Sequence, residues 1–171
     1  GIENIFIGDG AGRTSTTANG IVAVGRNSLE DNTGNSNTAV GFATLSNNTT
    51  GVNNTALGGA NYGFTGGAMH LNTTGSYNTA LGSQALHNNT TASNNTAVGR
   101  EAMYANTTGT ESVAVGHRAL TSQTTGRNTA VGFNAGQDMT TGTSNTMLGQ
   151  EAGENTTTGS SNVVVGAHAL R

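Results

Sequence analysis

The chain of 171 residues contains no cysteine, proline, tryptophan or lysine. Without cysteine, it can form neither a disulfide framework nor a thiolate metal site. Charged residues make up only 9% of the sequence, and the formal net charge is −3. The six basic residues are scattered arginines, so there is no basic stripe to bind a phosphate backbone. Nucleic acid is therefore not an expected partner.

Long apolar runs are also missing. No stretch approaches the ~18 consecutive apolar residues of a membrane helix, so we expect no direct insertion into a membrane. Threonine, asparagine and glycine dominate instead, and threonine and valine recur at regular positions, which favours strands over disorder. Because the regular pattern runs to both ends of the chain, we expect the sequence to be a fragment of a longer fibre protein.

The chain is built from an internal repeat, in which a short β-type run is followed by glycine. The intervals between these glycines are 17, 16, 17, 24, 17, 17, 16, 17 and 17 residues. A short fixed period is typical of solenoids, in which each coil stacks on the next. The sequence therefore predicts an all-β solenoid of about ten 17-residue coils, forming a single domain over residues 1–171. The repeated glycines are Gly8, Gly25, Gly41, Gly58, Gly82, Gly99, Gly116, Gly132, Gly149 and Gly166.

Each repeat carries one clear strand, and alternation separates its two faces. One face is β-branched, as at Thr38 and Val40, and we expect it to line the coil interior. The other face carries mainly alanine, as at Ala39, and we expect it to point outward, where a neighbouring subunit could approach. A second short segment, such as Ala85-Leu86, is expected to be a second strand with one residue of the pair facing inward.

The turns between coils have the form Asn-Thr-Thr-Gly. Glycine in these turns, as at Gly75 and Gly109, is expected to have positive φ. Asparagine at the start of the strands, as at Asn54 and Asn78, is expected to form a ladder that bonds backbone and amide groups along the stack. The residue after each repeated glycine varies, for example Arg26, Phe42 and His117, which indicates a column that faces solvent.

The 24-residue interval is the one break in the repeat. Aligning Ala68-Met69 with the Ala-Leu pair isolates a loop insertion at residues 59–65. Insertions in solenoids often lie on the binding face, and aromatic rings there could stack on a sugar or anchor a protein partner. The alternative is that the rings only pack in a groove between chains. The predicted ligand-binding residues are Tyr62, Phe64, Met69 and His70.

Motifs that carry chemistry are not found. The run from Gly8 to Gly12 does not fit the spacing of a dinucleotide loop, and the repeat already explains it. The four histidines lie in different coils, whereas a zinc ion needs three or four convergent ligands. No Ser-His-Asp arrangement or carboxylate pair stands out. We therefore expect no catalytic residue, no metal and no cofactor, and a protein that is not an enzyme.

A coil this small encloses only a few apolar side chains, so one chain buries little apolar surface for the number of residues that it orders. We therefore expect a homo-oligomer, and a homotrimer most of all.

The pattern Asn-Thr-Ala-Val-Gly, followed by Ala-Leu and Asn-Asn-Thr-Thr-Gly, resembles the head repeats of trimeric autotransporter adhesins, the YadA-type left-handed β-rolls. It is especially similar to the longer repeat of this type in phage tail-fibre and tail-spike-like proteins. The resemblance covers essentially the whole chain. It implies a homotrimeric left-handed β-roll, displayed outside a cell or on a virion, that binds a host cell-surface glycan or protein.

Three alternative functions stay open. Threonine ladders on a flat solenoid face can bind ice, but the paired threonines here, as in Thr90-Thr91, are adjacent, and neighbours in an extended segment point opposite ways. The chain could also be a purely structural fibre shaft without a ligand. A polysaccharide-degrading solenoid is the third, and it would need an acidic cleft.

Overall fold

A computed structural model of the chain describes residues 1–60 and 66–171. These residues contain ten strands of three residues each, which form one parallel sheet in the order of the sequence. Each coil therefore stacks on the one before it, and the fold is an all-β solenoid. The strands are β1 (Ile5–Ile7), β2 (Val22–Val24), β3 (Thr38–Val40), β4 (Thr55–Leu57), β5 (Thr79–Leu81), β6 (Thr96–Val98), β7 (Val113–Val115), β8 (Thr129–Val131), β9 (Thr146–Leu148) and β10 (Val163–Val165).

Successive strands pair with equivalent residues directly over one another. Val40 pairs with Leu57, and Leu57 pairs with Leu81 across the 24-residue interval. The other steps from strand to strand are 16 or 17 residues long. The prediction of a solenoid with 17-residue coils is thus confirmed.

The long interval keeps the architecture of a coil at both of its ends. The backbone N–H of Ala68 donates to the carbonyl of Gly58 at 2.8 Å. Met69 is fully buried with a φ of 51°, like Leu86 with a φ of 50° at the equivalent place. The alignment of Ala68-Met69 with the Ala-Leu pairs is therefore confirmed.

The coil interior is lined by the alanine face of the strands. Ala39, Ala56 and Ala80 have no exposed surface, whereas Thr38 and Val40 are only half-buried. The prediction that the β-branched residues line the interior is wrong, and so is the outward placement of alanine. The reason is space, because leucine or methionine from the next segment fills the narrow interior and leaves room for only a methyl group from the strand.

The segment after each strand is a turn, so the prediction of a second strand is wrong. The described part of the chain contains no strand besides the ten. Gln84 and Leu86 have left-handed φ values of 60° and 50°, with Ala85 between them. This change of handedness breaks the alternation that a strand would impose, and Ala85 and Leu86 are both fully buried. A left-handed conformation costs about 1–2 kcal/mol per residue. The hydrogen bond from Leu86 N–H to the carbonyl of Ala102 (2.9 Å) helps to hold it.

Two columns of glycine are required for different reasons. Gly99 follows a strand with a φ of 130°, and a Cβ there would collide with the backbone of Gly116 in the next coil. The turn glycines, such as Gly75 and Gly109, do not have positive φ, so that prediction is wrong. A Cβ on Gly75 would collide with the carbonyl oxygen of Ala92. The close approach of successive coils, rather than backbone handedness, therefore requires glycine in the turns.

Buried asparagines connect the coils in two ladders. At the strand starts, the backbone N–H of Asn78 donates to Oδ1 of Asn54 at 3.0 Å, which confirms the predicted ladder. In the turns, Nδ2 of Asn72 donates to Oδ1 of Asn48, and Nδ2 of Asn89 donates to Oδ1 of Asn72, both at 2.6 Å. These buried amides satisfy one another within the solenoid, as buried polar groups must. The ladder in the turns was not predicted from the sequence.

Candidate functional site

The outward surface of the sheet is a candidate interaction surface, which we name the strand face. It consists of the first and third residues of the ten strands. All of these residues are threonine, valine, isoleucine or leucine, so none is charged, and none is fully buried. Leu57 is 41% exposed, and Leu148 is 48% exposed. The strand face is therefore an uncharged and largely apolar surface that follows the whole sheet.

The register divides the strand face into two columns. The third strand residues form a column that is aliphatic throughout, from Ile7 to Val165. The first strand residues form a second column that is rich in threonine. Because the sheet is parallel and in register, equivalent side chains of successive coils lie side by side. The threonines of the second column are Thr38, Thr55, Thr79, Thr96, Thr129 and Thr146.

The paired threonines of the turns are arranged differently. The hydroxyl of Thr73 donates to the carbonyl of Thr90 at 3.0 Å, and the hydroxyl of Thr90 donates to the carbonyl of Thr107 at 3.1 Å. The second threonine of each of these pairs, as at Thr74 and Thr91, is exposed. In these coils one hydroxyl of the pair therefore bonds to the next coil, and the other faces solvent.

The residues after the strand glycines form a mainly exposed column, as predicted, although His117 is half-buried. The guanidinium of Arg26 lies 5.8 Å from the ring centroid of Phe42. The ring of His117 stacks on Phe133 with centroids 5.4 Å apart and planes 11° from parallel. The rings of this column thus contact side chains of the neighbouring coil in the same column.

A second set of stacked rings follows the buried leucine or methionine of three successive coils. We name it the ring column, and it consists of His70, His87 and Tyr104. The centroids of His70 and His87 are 5.5 Å apart, and those of His87 and Tyr104 are 5.2 Å apart with planes 17° from parallel. The spacing is close to the ~4.8 Å between neighbouring strands, so coil stacking brings the rings together. The next residue in this column is Thr121, and the stack of rings ends at Tyr104.

A cavity of about 230 Å³ lies at the end of the ring column, and we name it the Tyr104 cavity. Oε2 of Glu101 is 3.2 Å from Nε of Arg118, and Oε1 of Glu101 is 2.5 Å from Arg100. The Nε of Arg118 is buried, but its contact with Glu101 is not aligned as a hydrogen bond. A ring, a carboxylate and a guanidinium therefore share one small volume. The cavity is lined by Gln84, Glu101, Tyr104, Arg118 and Thr121.

Another cavity, of about 320 Å³, lies over the Thr-Gly turns. Its lining consists of threonines and glycines together with Arg127. The Nε of Arg127 donates to the carboxylate of Glu111 at 3.0 Å. This cavity has no aromatic ring in its lining. Unlike the Tyr104 cavity, it therefore offers a ligand no ring on which to stack.

The structure places the four predicted ligand-binding residues differently. Tyr62 and Phe64 lie outside the described residues. Met69 takes the leucine place in the core and is fully buried, so it presents no surface to a ligand in this structure. His70 is half-buried and is the first member of the ring column. Sequence reasoning missed the Tyr104 cavity, because its lining residues are separated along the chain and meet only when three coils stack.

His70 is held from two sides. Its Nδ1 lies 2.7 Å from the hydroxyl of Ser46 and 3.2 Å from the carbonyl of Ala43. Burial lowers the pKa of His70; the hydrogen bond to Ala43 opposes this shift, and the charge of His87 adds to it. The fold therefore favours the neutral imidazole of His70.

Within residues 1–60 and 66–171, no group of three or more histidine, aspartate or glutamate side chains is placed to hold a metal ion. His168 contacts the carboxylate of Glu151 at 2.9 Å, whereas His70 and His87 contact each other. In the same residues, no helix has the length and apolar character needed to cross a membrane.

The stacked coils and the in-register sheet define a β-solenoid repeat protein. Comparisons with protein-family models, with curated proteins and with solved structures found no match.

Proposed function

We propose that the chain is a structural and receptor-binding segment of a homotrimeric fibre, displayed outside a cell or on a virion. In this proposal the fibre attaches to a host cell-surface glycan or protein, its coils wind in the left-handed sense, and it has no catalytic activity. The strand face is the observation that supports the proposal. It exposes aliphatic side chains along all ten strands, among them Leu57 and Leu148.

An apolar surface of this length favours contact with another protein surface. Nine steps of about 4.8 Å between ten strands give a face about 43 Å long. Soluble monomers rarely expose contiguous apolar patches larger than a few hundred Å². The buried core consists mainly of alanine, with a few larger aliphatic and methionine side chains, so covering the strand face would add substantially to the apolar surface that is buried.

Further copies of the same chain are the occupants that fit the strand face best. Identical chains carry identical columns, so the coils of one copy match those of the next at every step. The strand face carries no charge, and copies brought together there would not repel each other. Charged residues such as Glu101 and Arg118 belong to the turns instead. Three strand faces packed toward a common axis would cover one another.

Sedimentation equilibrium at micromolar concentration tests the assembly. We expect the unmodified chain to sediment as a trimer. The double variant Leu57→Glu with Val98→Glu should sediment as a monomer, because it places carboxylates in the contact that would otherwise be desolvated. Both side chains point out of the coil, so the β-type circular dichroism spectrum should persist. Tyr77→Glu, at a 60% exposed residue outside the strand face, is the matched control and should stay trimeric.

Two results would contradict the assembly. One is a folded monomer of the unmodified chain at micromolar concentration. The other is a trimer that survives both glutamate substitutions on the strand face, because its contact would then lie elsewhere.

Receptor binding is tested separately, with a glycan array and a cell-attachment assay. We expect the trimer to bind at least one glycan or cell type, and no glycan to be cleaved. A variant that lacks residues 59–65 tests the predicted site that includes Tyr62 and Phe64. Attachment should fall if the insertion makes the contact, and unchanged attachment would rule it out. A trimer that binds nothing in either assay would be a purely structural shaft.

A second candidate function is ice binding, and the threonine column of the strand face is the observation that favours it. In that case the strand face must stay open to ice, whereas in the fibre it is covered. Thermal hysteresis at micromolar protein therefore separates the two. We expect none from the trimer, and a folded monomer with thermal hysteresis would replace the fibre proposal with ice binding.

A further inference from the structure

The ring column ends at Tyr104, and another ring would fit at the next position of the column. His87 covers one side of the Tyr104 ring, with centroids 5.2 Å apart. On the coil beyond, the equivalent residue is Thr121, whose side chain is much smaller than a ring. The Tyr104 cavity lies there, with Tyr104 and Thr121 both in its lining. The cavity therefore occupies the space that the next ring of the column would take.

The polar groups around this space are suited to hydroxyl and carboxylate groups. Glu101 offers a carboxylate as acceptor, and Arg118 offers guanidinium donors. The Nε of Arg118 is buried and lies 3.2 Å from Oε2 of Glu101, while the Arg118 side chain as a whole is 42% exposed. Arg100 and Arg118 carry two positive charges and Glu101 one negative charge, which leaves a net charge of +1 beside the cavity.

We propose that the Tyr104 cavity binds one pyranose ring of an acidic glycan. The apolar C–H face of the sugar stacks on Tyr104 and continues the ring column, as amphipathic rings do at aromatic surfaces. Sugar hydroxyls donate to Glu101, and the sugar carboxylate accepts from Arg118, where the pairing of opposite charges strengthens the hydrogen bond. This inference rests on the proposed function, of which it specifies the receptor class and a subsite.

The cavity also lies on a different part of the coil from the strand face. Its lining residues belong to the turn segments after β5, β6 and β7, whereas the strand face is made of the strands themselves. Packing of three copies through the strand face would therefore use none of the residues that line the Tyr104 cavity.

Saturation-transfer NMR on the full chain tests the site, with sialyllactose and lactose as matched probes that differ by the acidic sugar. We expect the unmodified chain to transfer saturation to the acidic sugar of sialyllactose, and lactose to bind more weakly. Tyr104→Ala should weaken the binding of sialyllactose about tenfold, since a ring contact contributes up to ~1.5 kcal/mol. Tyr77→Ala removes another tyrosine, which is 60% exposed, and should leave binding unchanged.

A second variant fills the cavity without removing any ring. Thr121→Tyr should extend the stack beyond Tyr104 and abolish sialyllactose binding while the circular dichroism spectrum stays that of the unmodified chain. The change also removes the hydrogen bonds that the Thr121 hydroxyl donates to the carbonyls of Arg118 (2.7 Å) and Glu101 (3.3 Å). An unchanged denaturant midpoint, measured beside the spectrum, is therefore the control that separates loss of binding from unfolding.

The possible results of these experiments test the Tyr104 cavity and the proposed fibre separately. Sialyllactose binding that survives both Tyr104→Ala and Thr121→Tyr would overturn the site and leave the proposed fibre intact. Equal binding of lactose would overturn the assignment of an acidic sugar. If the unmodified chain transfers saturation to neither probe, the inference fails, whereas the trimer is decided independently by sedimentation.

Discussion

The coils in the middle of the solenoid and the coil of β9 fill the same interior from opposite walls. In the middle coils the turn supplies the large side chain, such as Leu86, and the strand supplies only Ala80. In the coil of β9 the strand supplies Met147, and the turn supplies Gly153. A Cβ on Gly153 would lie 2.9 Å from the terminal methyl group of Met147, so the two walls cannot both carry a large residue. The repeat therefore keeps the coil interior filled, but the residue that fills it can come from the strand or from the turn.

The same exchange occurs in the first coil and among the polar residues. Phe6 replaces the strand alanine, and Gly12 replaces the leucine opposite, where a Cβ would collide with the Phe6 ring. In the asparagine ladders, the shorter Ser112 is met by the longer Gln123, whose Nε2 donates to the Ser112 hydroxyl at 3.1 Å. Close packing explains these pairs. In so narrow a coil the neighbouring side chains cannot shift to close a void or to relieve an overlap.

The largest effect is expected from Met147→Ala. This variant empties the wall that fills the coil of β9, and Gly153 opposite cannot replace the lost volume. We expect the free energy of unfolding to fall by about 2–5 kcal/mol, the usual range for large-to-small changes in a core. Denaturant unfolding at one fixed protein concentration measures it, since assembly makes stability depend on concentration. Met103→Ala, which removes the same side chain from the turn wall, is the control and should cost a similar amount.

If Met147→Ala cost less than about 1 kcal/mol while Met103→Ala cost several, the equivalence of the two walls would be wrong.

A smaller effect is expected from Gly153→Leu, which adds a second large side chain to the coil of β9. Overpacking of this kind costs about 1–3 kcal/mol. The double variant Met147→Ala with Gly153→Leu returns a leucine to the left-handed position in the coil of β9 (φ 63° at Gly153, 50° at Leu86). It leaves unfilled the space beside Gly136 in the coil of β8, where a Cβ would lie 2.6 Å from Sδ of Met147. We expect the double variant to recover part of the stability that Met147→Ala loses, so the two changes couple. Additive losses in the double variant would contradict the exchange of walls.

The smallest effect is expected from pH, and it distinguishes the middle coils, which contain His70, from the last coil, which contains His168. Burial lowers the pKa of His70 in the folded chain below its ordinary value of 6.5. The folded chain then binds fewer protons than the unfolded chain around that value, so stability is full above pH 6.5 and falls as the solution becomes more acidic. Denaturant unfolding between pH 7.5 and 5.5 should show this loss, and His70→Gln should reduce it.

His168→Gln is the control, because its imidazole is exposed at the far end of the solenoid. An equal pH dependence in His70→Gln and the unmodified chain would exclude His70 as the source.

Several features of this fold could be predicted from particular residues. The repeated glycine after the strand indicates the coil length, and the alignment of Ala68-Met69 with later Ala-Leu pairs locates the insertion. Asn54 and Asn78 recur at the strand starts, which is enough to predict their ladder. The second ladder, through Asn72, has the same repeat, but a turn sequence alone does not show that its amides are buried. These predictions succeed because they depend on residues that recur at the same place in most coils.

The candidate surfaces were predicted less well, for a geometric reason. The alternation of Thr38, Ala39 and Val40 defines two faces of a strand without showing which one is enclosed. The ring column and the Tyr104 cavity combine residues that are 17 positions apart, and no local pattern in the chain marks them. Of the predicted site residues, Met69 belongs to the same leucine column that fills the core.

The sequence by itself determined the period of the solenoid, the register of its strands and the positions where glycine is needed. Only the tertiary structure decided which face of each strand is enclosed and which side chains of neighbouring coils meet. The physical reason is that left-handed residues such as Gln84 and Leu86 close each coil tightly. One large side chain then fills the interior, and the β-branched residues remain outside on the strand face.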